Sequence, residues 1–177
     1  IPDNVWFIGT ANHDETTLQF APKTYDRANI MEMPKSHIQV QKDDKIDLDY
    51  ILTDNESFLI NFSLAEEEDI RSFHNYLADN GNFKKICNKL GIGWGNRLEK
   101  QIKKFIPIFI QLGGTNADAL DQIISSKILR NIQGRYDLKG SPLLNDMQTE
   151  LETNFFNIFG DIPTKSIELL EQEIENQ

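Results

Sequence analysis

Apolar positions along this chain change their period near residue 63. Before it they fall in short runs. Val5-Trp6-Phe7-Ile8 is continuous, as expected of a strand covered on both faces, and Asn29 to Met33 reads as a second strand after a short helix. Residues 34–62 are less regular: His37-Ile38-Gln39-Val40-Gln41 alternates, the rest is rich in Asp and Asn, and the stretch reads as an insertion or mobile loop. From Ser63 the apolar spacing becomes three and four and stays so. Ser63 with Glu66 makes a capping-box start for a helix with Ile70, Phe73 and Leu77 inward, up to Gly81. Phe83, Ile86 and Leu90 define a second helix, closed by Gly91 in a left-handed cap. Asn96 is placed to cap a third, with Leu98, Ile102, Phe105 and Phe109 inward and Pro107 kinking it. Thr115 and Asp118 start a fourth through Leu120, Ile123, Ile124, Ile128 and Ile132. Pro142 after Ser141 starts a fifth ending near Gly160, and Pro163 a last one through Ile167, Leu170 and Ile174. The pattern predicts a small α/β segment (1–33) and a helical lobe (63–177).

Composition narrows the classes. Eleven Phe and two Trp in 177 residues supply a real core. A net charge of −10 argues against nonspecific nucleic-acid binding by this stretch, because such binding rests on neutralising phosphates. A single cysteine, Cys87, excludes an internal disulfide framework and suits a reducing, cytoplasmic setting. No signal peptide is visible. The longest apolar run, Phe105 to Leu112, is too short for a membrane span and contains Pro107. His13, His37 and His74 are scattered, so no metal site is expected from ligand spacing. The chain opens on Ile1, and we expect it to be a piece of something longer.

The candidate chemistry sits in the first 27 residues. An apolar run opens into Gly9-Thr10, then Asn12, Asp14-Glu15 and, fifteen residues beyond Asn12, Arg27 preceded by Asp26. At the carboxyl end of a sheet strand a polar side chain faces the ligand. An amide there can hold an attacking water or sense a terminal phosphate, and an arginine can supply the charge a phosphoryl-transfer transition state demands. Plainer readings stand beside these: Asn12 and Asp14 in an Asx-type turn, and Asp26-Arg27 capping a helix end. Asp14-Glu15 does not follow an apolar strand directly, which sets aside a magnesium-binding Walker B pair. In the lobe, Lys84, Lys85 and Lys89 cluster, and Arg97 follows the glycine-broken loop Gly91-Ile92-Gly93-Trp94-Gly95. Arg97 either serves a ligand or joins Lys100, Lys103 and Lys104 on a solvated face.

On Gly9-Thr10-x-Asn12-x-Asp14-Glu15 and Asp26-Arg27 the chain resembles the second half of an AAA+ ATPase module, of the McrB-like branch. Asn96-Arg97-Leu98-x-x-Gln101-Ile102, Gly113-Gly114 and Lys127-Ile128-Leu129-Arg130 resemble the lid of that branch. The resemblance implies the end of a P-loop NTPase of AAA+ type: the last strands of a parallel α/β core, then a mainly helical lid. Asn12 would be sensor 1, with Asp14 ordering its loop. Arg27, beside Asp26, would be the arginine finger. Arg97 would be sensor 2 on the lid, with Arg130 and Arg135 as rivals. The implied protein is a ring, hexameric in resembling proteins, that hydrolyses ATP or GTP with magnesium. In that branch it serves modification-dependent DNA restriction with a nuclease subunit, DNA being held by a domain outside this stretch. No G-x-x-x-x-G-K-[ST] occurs, so the 177 residues alone are expected neither to turn over nor tightly to bind nucleotide. A MoxR-like protein-remodelling chaperone and a non-catalytic helical interaction domain are the alternatives.

Overall fold

The structure is a computed structural model that describes residues 7–11, 24, 27–28, 30–31 and 67–175. The chain divides into two compact units, Ile1–Ile60 and Asn61–Gln177. The second unit is helical: α1 (Glu67–Tyr76), α2 (Asn82–Lys89), α3 (Asn96–Gln111), α4 (Asn116–Ile123), α5 (Pro142–Glu150), α6 (Phe156–Phe159) and α7 (Thr164–Glu175). A π turn (Ile124–Ile128) and a 3-10 turn (Leu129–Ile132) extend α4, and a second π turn (Leu151–Phe155) joins α5 to α6.

Several helices start and stop for local reasons. Leu90 ends α2, and Gly91 beyond it takes φ 71°, letting its N–H donate to Asn88 O at 3.1 Å while Ile92 N–H donates to Cys87 O at 2.8 Å. That is a Schellman end with Ile92 and Cys87 buried beneath it. The same pair of bonds closes α3, from Gly113 N–H to Ile110 O and Gly114 N–H to Phe109 O. A Cβ on Gly114 would stand 2.2 Å from the Phe109 ring, so only glycine fits without moving that ring. Thr115 Oγ1 accepts from Asp118 N–H at 3.0 Å and caps α4, as the sequence predicts, and Ser141 caps α5 just ahead of Pro142. Asn96 is the first helical residue of α3, with Gly95 in the cap position and no side-chain cap. The helix continues through Pro107 to Gln111.

The predicted stripes make the core. Phe73, Leu77, Phe83, Ile86, Leu90, Leu98, Ile102, Leu120, Ile124, Ile128, Ile132, Ile167 and Leu170 are all buried. Phe105 and Phe109 are only partly buried, and Ile106 takes the fully buried place on α3. Apolar residues recurring every fourth position, Leu120 to Ile132, run ahead of a 3.6-residue period; the wider π turn absorbs the excess and keeps them inward. An aromatic cluster ties α1, α2 and the α5–α6 region together: Phe73 stacks on Phe159 at 5.4 Å, and Tyr76 on Phe83 at 5.2 Å. Phe155 meets Phe159 at 4.8 Å. Each such pair contributes about 0.5–1.5 kcal/mol beyond its buried area.

The α/β expectation does not hold. No strand occurs among the described residues, and the fold they make is a helical domain rather than a parallel sheet with a lid. Phe7 and Ile8, expected inside a covered strand, carry no strand structure and are 81% and 93% exposed. Ile30 and Met31, expected in the second strand, are likewise non-strand, with Met31 80% exposed. A strand needs a neighbour to take its backbone hydrogen bonds and layers to cover its faces. The described residues provide neither.

Candidate functional site

Arg27 is the one N-terminal site candidate among the described residues. Thr24 and Arg27 are helical, Ala28 N–H donates to Thr24 O at 2.9 Å, and Arg27 is exposed. Asn12, Asp14 and Asp26 lie outside the described residues, as does the Ser63–Glu66 capping box.

In the helical unit, the loop from Leu90 to Gly95 is held from three sides. Arg135 Nη1 donates to Leu90 O at 2.6 Å, and Nε and Nη2 of the same guanidinium clamp both oxygens of Asp137, at 3.1 and 2.5 Å. That pairing raises Arg135's pKa and holds the Asp137 carboxyl below its usual range, the shared hydrogen bond being the main cause in each. Arg135 is thus committed to fastening the loop after α2, which removes it as a rival for a nucleotide. Trp94 packs on Phe83, and Lys84 places Nζ 3.3 Å from the centre of the Trp94 ring. Lys84 is only 7% exposed, so the expected basic cluster is split: Lys85 and Lys89 face solvent and Lys84 does not.

Arg97 follows this loop in the first turn of α3, exposed; Arg130 is half-buried in the 3-10 turn after α4. They sit on different elements. Among the described residues no group of His, Cys, Asp or Glu is arranged to hold a metal ion.

Two buried carboxylates escaped the reading of the sequence. Asp121, on the inward side of α4, accepts from the backbone N–H of Lys165 and of Ser166, each at 2.9 Å, and from Ser166 Oγ. It caps α7 from 44 residues away, placing an anion at that helix's N-terminus. Burial pushes its carboxyl up, and these three donors pull it back. Glu150 accepts from Asn82 Nδ2 at 2.5 Å and Asn154 Nδ2 at 2.6 Å, joining α2 to α5. Tyr76 Oη lies near the Glu150 charge without reaching hydrogen-bond geometry, and among the described residues it is the buried side-chain polar atom left without a partner. The signal for both acids was their place on an apolar stripe, beside Leu120 and beside Leu151. A charge seldom stays there unpaired.

No helix among the described residues is long and apolar enough to cross a membrane. No curated protein and no solved structure matches the chain. A family model matches residues 39–176, most of the length, and the chain therefore belongs to that family, a domain of unknown function (DUF8727).

Proposed function

We propose that this chain is the C-terminal part of a ring-forming NTPase of the McrB-like AAA+ branch, with the helical unit as its lid. The order Gly9-Thr10-x-Asn12-x-Asp14-Glu15, then Asp26-Arg27, then a glycine-broken loop opening into Arg97 carries the reading. It is supported by the exposure of Arg27 and of Arg97, since both would have to reach a ligand outside their own unit. The motif lies ahead of residues 39–176, the stretch that the family model matches. The phosphate cradle and magnesium seat would belong to a segment upstream. Motor-driven DNA restriction, with its nuclease subunit, and cytoplasmic location are part of the same proposal.

A second reading, a non-catalytic helical interaction domain, is favoured by one observation. The described part is a helical unit with its own core, and Arg135 is spent on structure. The two separate on Arg27. In the intact protein, Arg27→Ala should keep nucleotide binding and lower turnover about a thousandfold, the scale of a lost arginine finger. Unchanged turnover would favour the interaction domain.

A further inference from the structure

The charge of this chain is sorted along its length in a way its total conceals. Residues 82–111, spanning α2 and α3, hold seven Lys or Arg and one Asp or Glu; residues 142–175, spanning α5 to α7, hold one and eight. On α3, Arg97, Lys100 and Lys104 are exposed at spacings of three and four, with Lys103 beside them. On α7, Glu168, Glu171 and Glu175 are exposed at the same two spacings. Each stripe therefore runs about 10.5 Å along its helix, seven residues at 1.5 Å each. Both lie away from the buried faces, Leu98-Ile102-Ile106 on α3 and Ile167-Leu170 on α7. α3 and α7 each pack on α4. Lys100, Lys103, Lys104 and the three glutamates form no ion pair among the described residues.

We propose that these stripes are two halves of one contact between copies of this chain: α3 of one copy lies antiparallel on α7 of the next. In that order Lys100 faces Glu171 and Lys104 faces Glu168. Because the halves differ, the contact is head-to-tail, the kind that builds a ring or an open stack. An anionic polymer is the weaker occupant, because a chain of net charge −10 repels it while the matching acidic helix is already present in every copy. The contact does not depend on nucleotide chemistry and would form equally in a scaffold, so its test reads association rather than turnover.

Sedimentation of the 177-residue chain at about 0.01 M and about 1 M salt, where the screening length is about 30 Å and 3 Å, reads the contact directly. We expect the weight-average mass to exceed the 20.4 kDa monomer at low salt and return to it at high salt. Net repulsion alone predicts the opposite trend. Reversing one stripe, Lys100→Glu with Lys104→Glu, should weaken self-association at least about tenfold, as should Glu171→Lys with Glu168→Lys. Mixing the two reversed chains should restore growth as an alternating assembly, since the intact halves of the two match each other and so do the reversed halves. Combining all four reversals in one chain should restore growth. The proposal is overturned by a monomer at low salt, by reversed chains that associate like the parent, or by a lysine reversal that abolishes oligonucleotide binding while leaving self-association intact.

Discussion

Burial sets the chemistry of Cys87. Its thiol is fully enclosed beneath the end of α2, and burial pushes its pKa from 9.0 up to about 12, with the Lys84 charge pulling slightly the other way. Such a thiol is protonated and inert at neutral pH. The folded state thus holds its proton more tightly than the unfolded chain, so stability is complete below about pH 9 and falls as pH rises toward 12. Near pH 10 the loss is about 1 kcal/mol, and Cys87→Ala should flatten that part of a stability–pH curve measured by denaturant unfolding. Tyr76 tells a related story. Burial, then the Glu150 charge, raises its pKa, and its hydroxyl gains no hydrogen bond in return. Tyr76→Phe should leave stability unchanged or raise it by about 1 kcal/mol; a clear loss would mean that the hydroxyl has a partner.

At the scale of elements, the helical lobe was legible because helix signals are local. Periodic apolar residues, Thr115, Ser141-Pro142 and the left-handed glycines act within a few positions of one another, and they place α2 to α7 well. What joins the helices was not legible. Asp121 and α7 meet across 44 residues, and nothing in either local pattern names the other. Asp121→Ala orphans two backbone donors and a hydroxyl, and should cost about 2 kcal/mol in urea unfolding, with earlier exchange of the amides of α7. Asp121→Asn, which keeps one acceptor, should cost less. Equal stability of the alanine variant would show that α7 is held by its apolar face alone. The strands failed for the converse reason. A four-residue apolar run specifies a strand only if neighbours exist to pair with and cover it, and for Phe7 and Ile8 the described residues supply none. Lys84 was misplaced with its neighbours because the Trp94 ring that shelters it lies ten residues on.

At the scale of the whole molecule, the helical unit carries its basic residues mainly on α2 and α3 and its acidic ones on α5 to α7, and the proposed motif would act between subunits. The proposed finger and sensor make that connection testable without knowing the substrate. Asn12 would serve its own subunit's nucleotide and Arg27 the neighbour's, so the two defects should be separable in mixed rings. Turnover of the intact protein, measured for Asn12→Ala alone, Arg27→Ala alone and an equal mixture, tests this most directly. Each variant should be nearly inactive and the mixture should regain a substantial part of the parent rate, because some junctions pair an intact Asn12 with an intact Arg27. A mixture no more active than its components would contradict this.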